Sequence, residues 1–158
     1  MAQKSTQFGK AFGSGPVGLA ISLILLLIAS WFNELIKLPP ISNNRSLVET
    51  IFSMSILMTL IIFVWSARSL RRTDRGNQLC TTGAYSVVRH PRYAAYLSFF
   101  NFGLALYLNS YVYIVWAVLL YPIWHYLVSF EERRMVDVFG EAYIEYQQKT
   151  GCFLPKLG

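Results

Sequence analysis

Cysteine is scarce in this chain. The two present, Cys80 and Cys152, lack metal-ligand spacing, and one pair builds no disulfide framework. Charge is scarce too: 14% of residues are charged, with 8 acidic against 14 basic. No Asp or Glu occurs between residues 50 and 73 or between 93 and 130. That argues against a small transporter, which usually carries an acidic residue at mid-membrane. Phosphate-loop chemistry is missing as well, since Gly13-Ser14-Gly15 is followed by no Lys-Ser/Thr pair. No segment groups metal ligands, and no single motif pairs a nucleophile with a base, so no metal is expected.

Apolar residues are what the chain has in abundance: 54% hydrophobic, with a mean hydropathy of +0.41. A soluble fold of 158 residues could not hide that much apolar surface in its own core. Lipid as solvent removes the difficulty. The charges gather at 68–75, 89–92 and 131–149, between apolar runs. The net charge of +6 therefore reads as a membrane-surface bias and not as a nucleic-acid footprint. The bilayer is the expected partner, and nucleic acid is not.

Residues 1–15 are polar and Gly-rich, with Lys4 and Lys10, and read as a short frayed N-terminus. A first span covers 16–32. Its basic start permits a signal-peptide reading, but the apolar run is long and no clean small-x-small site follows. Leu38-Pro39-Pro40 and Ser42-Asn43-Asn44 make a turn. A second span covers 47–67, where Ser53, Ser55 and Thr59 are expected to bond their own helix or a helix contact. The arginine-rich stretch 68–92 marks a cytoplasmic loop. A third apolar run, 93–108, and a fourth, 111–130, form a hairpin about Asn109-Ser110. Sixteen residues reach about 24 Å at about 1.5 Å each, short of a bilayer core of about 30 Å, so the third helix extends back toward Pro91 or stops short of the far leaflet.

From 131 to 150, Met135, Val138, Phe139, Ala142, Tyr143 and Tyr146 recur at three- and four-residue steps. They predict an amphipathic helix, interrupted near Gly140, on the cytoplasmic surface or under the bundle. The fold class is all-α: a polytopic membrane helix bundle of about four transmembrane helices with a C-terminal amphipathic helix. One domain covers 1–158: an N-terminus (1–15), two spans (16–67), and a loop, hairpin and tail (68–158). Four crossings place both termini in the cytoplasm, with both thiols reduced.

Two polar segments meet at one membrane face. In the first, Gly83 serves a positive-φ turn or a close approach to a ligand. Pro91 suits a first helical turn, which puts Arg89 and His90 beside a helix start that favours an anion. The second is Glu131-Glu132, which suits a cation. A ligand bearing both an ammonium and a carboxylate fits between them. The other reading makes Arg89 a structural anchor paired with one of the two carboxylates. His125 lies inside the fourth span, on a stripe with Tyr121, Ser129 and Glu132 that could line a cavity or bond a neighbouring helix.

Leu79-Cys80-Thr81-Thr82-Gly83-Ala84-Tyr85, then Arg89-His90-Pro91 and Tyr93, resembles the isoprenylcysteine carboxyl methyltransferase and phospholipid methyltransferase superfamily. Glu131-Glu132, Phe139-Gly140-Glu141, Tyr143, Tyr146 and Pro155 continue the match in the same order. The resemblance implies an integral membrane enzyme using S-adenosylmethionine at the cytoplasmic face. It implies cofactor contacts from Gln78, Leu79, Gly83, Tyr85, Arg89, His90, Pro91, Tyr93, Glu131 and Glu132. The methyl acceptor would be lipid-like or a small hydrophobic molecule entering from the bilayer. An amine or thiol acceptor needs a base, and His125 is the candidate, with Arg89 as the second catalytic residue. The alternatives are an NADPH-dependent reductase of the sterol-reductase type, or a non-enzymatic four-helix protein or transporter. Ala94-Ala95 stands where the family usually has a small Gly. Leu127 stands where eukaryotic prenylcysteine enzymes carry an Arg.

Overall fold

The computed structural model describes residues 13–70 and 78–156. Residues 1–12 of the tail expected over 1–15, and Arg71, Arg72 and Arg75 of the basic loop, lie outside the described residues; Gly15 at the end of that stretch already belongs to a helix. The described chain is helical, with one isolated bridge, Val88 to Gly151, in place of any sheet.

Helix α1 (Gly15–Ile36) opens with Pro16 and ends at Lys37, whose φ of 50° turns the chain. Helix α2 (Arg45–Ser69) is capped by Asn44, whose side-chain oxygen accepts from the Leu47 N–H at 3.1 Å. Large side chains such as Leu23, Leu27, Leu57 and Ile61 are more than half exposed. In water such faces would be a liability; in a bilayer they are the solvent-facing surface. Ser53, Ser55 and Thr59 each bond a carbonyl one turn back on α2, and Ser55 also backs onto Gly103.

After a single helical turn, α3 (Ala84–Val87), the third membrane helix runs over 91–107 in three parts: α4 (Pro91–Ala95), a π-helical turn (Tyr96–Asn101) and α5 (Phe102–Tyr107). It begins at Pro91, one of the two outcomes the sequence left open. Its far end is not short of its neighbours. Asn109 and Ser42 exchange two hydrogen bonds, of 2.9 and 2.8 Å, tying this helix's loop to the α1–α2 turn. Three helices are long and apolar enough to cross a membrane unaided: Gly15–Ile36, Arg45–Ser69 and Tyr111–Phe139. The 91–107 helix is the shorter fourth member.

Helix α6 (Tyr111–Phe139) differs from expectation at its end. It does not stop at 130 but runs 29 residues, through Glu131-Glu132. Glu, Arg and Met continue a helix readily, so passing from lipid to water changes the side chains and not the backbone. The twin carboxylates therefore sit within a helix wall. Gly140, at φ 56°, breaks the helix where the sequence placed the interruption, and α7 (Glu141–Lys149) follows.

The core lies between α1, the 91–107 helix and α6. Trp124 is 1% exposed, and its indole N–H donates to Ser22 Oγ at 2.9 Å. Trp116 donates to the Ser22 carbonyl at 3.1 Å. Gly18 lets α1 approach, because a Cβ there would lie 2.6 Å from the Trp124 ring. The start of α1 and helix α7 lie at the same end of the bundle, since Ser14 bonds Glu131 and Gln147 bonds Glu132.

Candidate active site

The end of α2 shapes the loop before Tyr85. Gly83 has φ 63°, and a Cβ there would lie 2.2 Å from Ser69 Oγ. The glycine thus serves the turn and the approach of loop to helix. The same Ser69 hydroxyl accepts from the Ala84 N–H at 3.1 Å, and its carbonyl accepts from Cys80 Sγ at 3.3 Å. Buried Ser66 donates to the Tyr85 hydroxyl at 3.1 Å and fixes its direction.

The C-terminal tail fixes the next segment. Arg89 N–H donates to the Gly151 carbonyl at 2.8 Å and His90 N–H to the Cys152 carbonyl at 3.1 Å. The tail packs so tightly that a Cβ on Gly151 would meet the Leu154 carbonyl oxygen. The Arg89 side chain is taken up by protein partners. Its Nε donates to Glu132 Oε1 at 2.7 Å and its Nη2 to Oε2 at 3.1 Å. Its Nη1 donates to the Gln147 carbonyl at 3.3 Å and to the Thr150 carbonyl. Burial works against this charge, but the hydrogen bond and charge of Glu132 outweigh it, and the guanidinium is held ionised more firmly than usual.

The two adjacent glutamates divide. A step of one residue turns about 100° around an α-helix. Glu132 faces Arg89, His90 (Nε2 at 3.2 Å) and Gln147 (Nε2 at 3.0 Å). Glu131 faces a cavity of about 340 Å³, where it accepts from Ser14 Oγ at 2.7 Å and Tyr93 Oη at 3.4 Å. The volume lies at the small end of ligand pockets, which run from about 300 to 1,000 Å³.

Of the expected site residues, Gln78, Leu79 and Tyr85 form one side of this cavity. Arg89, His90, Pro91 and Tyr93 form the next, and Glu131 closes it. Gly83 and Glu132 do not line it. Neither does His125, which is exposed on α6. The expected cavity along the His125 stripe is filled instead: Phe153, 2% exposed, sets its ring against Tyr121 at 5.5 Å and His125 at 6.2 Å. Sequence reading missed Arg92 and Cys80, which line the cavity, and Ser14, which orients Glu131. It also missed the opposite wall. Met135, Phe139, Tyr143 and Tyr146, expected on an amphipathic helix at the surface or under the bundle, take the second of those places and face inward there. Their three- and four-residue spacing was the available signal.

Burial, and then the charge of Glu132, pushes the Tyr143 phenol up; burial does the same to Tyr146. Both keep their protons across the physiological range. Cys152 is likewise pushed up to about 12, by burial first and then by Glu132. Both cysteines are unpaired and half-buried. One constellation was invisible in the spacing: ligating atoms of His90, Glu132 and Cys152 lie within 4.8 Å of one another. Arg89 already occupies both oxygens of that carboxylate, and the thiol holds its proton. The set reads as an ion-pair network and not as a metal cage.

A model of the phospholipid methyltransferase family matches residues 45–142, which hold α2, the 91–107 helix, all of α6 and every expected site residue. The chain belongs to the phospholipid methyltransferase family. Protein-S-isoprenylcysteine O-methyltransferase B of Arabidopsis thaliana is 22% identical over 140 residues, covering 84% of this chain and 71% of that protein. Protein-S-isoprenylcysteine O-methyltransferase of Saccharomyces cerevisiae is 32% identical over 87 residues, covering 53% of this chain and 35% of that protein. No solved structure matches. The family and the apolar helices make this chain an integral membrane methyltransferase.

Proposed function

We propose that the cavity binds S-adenosylmethionine and that the methyl acceptor is a carboxylate on a hydrophobic body entering from the bilayer. One observation carries the donor half. Glu131 faces the cavity held by two hydroxyls, with no cation partner among the described residues. A carboxylate so placed fits an ammonium group. The wall of Tyr143, Tyr146 and Phe139 fits a flat base or a sulfonium, whose positive charge aromatic faces attract. Bound there, the donor supplies a methyl group already activated on sulfur, and no metal is required.

The chain's own residues bind, orient and exclude water. Ser14 and Tyr93 hold the Glu131 carboxylate in one direction. Ser66 does the same for Tyr85. The two raised tyrosines remain neutral donors, so they add no competing negative charge.

The acceptor half rests on the bases present. His90 is engaged by Glu132, and His125 lies outside the cavity. An amine or thiol acceptor must lose a proton to a base; a carboxylate is ionised at neutral pH and need not. Cation and anion then neutralise each other on the way to the transition state, and a site of low dielectric avoids the solvent reorganisation opposing that step. The two relatives' names specify O-methylation of S-isoprenylcysteine, which agrees with an acid acceptor. The excess of Lys and Arg at this end of the bundle favours the cytoplasmic side.

An NADPH-dependent reductase fits less well, because Glu131 would face a phosphate-rich cofactor. The test is titration of the protein in nanodiscs with S-adenosylhomocysteine and with NADPH. Labelled methyl transfer to prenylcysteine analogues, phosphatidylethanolamine and small thiols follows. Saturable binding of the first ligand and labelling of the acid support the reading. Binding of NADPH alone, or labelling confined to the amine or thiol, overturns it.

A further inference from the structure

Three basic side chains stand at the cavity: Arg89, His90 and Arg92. They differ in what already holds them. Arg89 spends four of a guanidinium's five N–H groups on Glu132 and on the carbonyls of Gln147 and Thr150. His90 sets Nε2 against the same carboxylate. Arg92 makes no hydrogen bond or ion pair with any described residue, yet it is half-buried and lines the cavity. The acid on the cavity side of α6 is Glu131, whose described contacts are hydroxyls.

We propose that Arg92 is the carboxylate-binding residue of the cavity. The assignment rests on the donor and acceptor reading given above and deepens it. A guanidinium withdrawn from water without an anion costs free energy, and a bound anion offsets that cost. A planar, forked donor suits a planar carboxylate, which it holds through two parallel N–H···O bonds. With Arg89 and Glu132 matched to each other, Arg92 and Glu131 are, among the described residues, the cavity's charged groups without an ion-pair partner, one of each sign. Such a pair fits an amino-acid group, and it fits equally an ammonium on one ligand and a carboxylate on another. The donor and the acceptor each bear a carboxylate, and either satisfies the chemistry. The competing role for Arg92 is a membrane-surface anchor, its stem along apolar surface and its head in water.

The experiment uses full-length protein in nanodiscs, as wild type, Arg92→Gln and Arg92→Lys, with melting temperature recorded for each. Calorimetry compares S-adenosylhomocysteine with its decarboxylated analogue. Initial rates give KM and kcat for a prenylcysteine carboxylate. If Arg92 holds the donor, Arg92→Gln weakens S-adenosylhomocysteine tenfold or more and leaves the decarboxylated analogue within twofold. If it holds the acceptor, donor affinity stays within twofold while the acceptor's KM rises tenfold or more at similar kcat. Arg92→Lys keeps the charge and loses the fork, so it falls between wild type and Gln. Should Gln not fold, the Lys variant alone must shift the carboxylate ligand at least threefold against its analogue or against kcat. Equal loss for both S-adenosyl ligands, or no change in any constant, overturns the assignment while leaving the donor reading intact. A wild-type protein that binds no S-adenosyl ligand ends that reading and this assignment with it.

Discussion

Glu131 and Glu132 are neighbours in the chain and serve different surfaces of α6. Glu132 accepts from Arg89 at 2.7 Å with both side chains about a tenth exposed, whereas Glu131 opens on the cavity beside Ser14 and Tyr93. Charge-neutral substitution should therefore separate binding from stability. Glu131→Gln should weaken S-adenosylhomocysteine tenfold or more in calorimetry and leave the melting temperature close to wild type. Glu132→Gln should lower the melting temperature, because it leaves the Arg89 guanidinium under-compensated at a cost on the order of 3 kcal/mol. Identical behaviour of the two variants would contradict the division of roles.

The Arg89–Glu132 pair is a structural clamp as well as an ion pair. It joins the segment before Pro91 to α6 and, through the carbonyls of Gln147 and Thr150, to the end of α7. Breaking one partner leaves the other charge half-buried, so Arg89→Met and Glu132→Leu should each destabilise. The double variant should be more stable than the sum of the two losses predicts, by about 1–3 kcal/mol of coupling between contacting residues. Melting curves of the four proteins in one detergent decide it. Simple additivity would mean the contact contributes nothing.

Much of this was legible in the sequence. Apolar runs marked all four bundle helices, three of them long enough to cross a membrane unaided, and the turn residues gave their ends. The hairpin about Asn109 and the break at Gly140 fell where they were expected. The segment that lines the cavity before and after Pro91 was visible because its residues are close in sequence. What escaped were relationships spanning distant parts of the chain. Spacing on one helix placed His125 and Glu132 on one stripe, but nothing local showed that Phe153, 28 positions after His125, would cover it. Periodicity gave Met135, Phe139, Tyr143 and Tyr146 an apolar face, and only the fold shows that this face meets a cavity and not lipid. The grouping of His90, Glu132 and Cys152 has no sequence signature, since its members come from three separate segments.

His125 supplies a direct test of the acceptor argument. It is exposed on α6 and touches Phe153 with its ring. His125→Ala should keep activity within about twofold, as expected for a surface substitution. Removal of a true general base would instead lower kcat by about 10²–10⁴. A loss of that size would return His125 to the chemistry and reopen amine and thiol acceptors.

Helix α1 depends on Gly18 and Ser22. The Trp124 ring is held by its bond to Ser22 Oγ and cannot swing aside freely, so a Cβ 2.6 Å from it forces the helices apart. Gly18→Ala should destabilise by about 1–3 kcal/mol, the usual cost of overpacking. Ser22→Ala leaves the buried indole N–H without its acceptor and should cost about 1–3 kcal/mol. Both should lower the melting temperature in detergent, and Gly18→Ala should also perturb Trp fluorescence. An unchanged melting temperature in both would contradict the packing described between α1 and α6.

Cys152 connects the clamp to a measurable pH dependence. Burial and the Glu132 carboxylate push its thiol from an ordinary value near 9 up to about 12. The folded protein thus keeps a proton that the unfolded chain releases once pH passes 9. Wherever the native state binds more protons than the unfolded state, stability falls as pH rises. This contribution is fully present below pH 9 and is lost progressively toward 12. Between 9 and 10, below the ordinary range of tyrosine, Cys152→Ala should show a shallower fall in melting temperature than wild type. Since only the thiolate reacts with iodoacetamide, the native thiol should also label slowly at pH 8 and quickly after denaturation. Rapid native labelling at Cys152, read by peptide mass, would mean that the tail does not enclose this thiol and that the hydrogen bonds from Arg89 and His90 to residues 151 and 152 do not hold it in place.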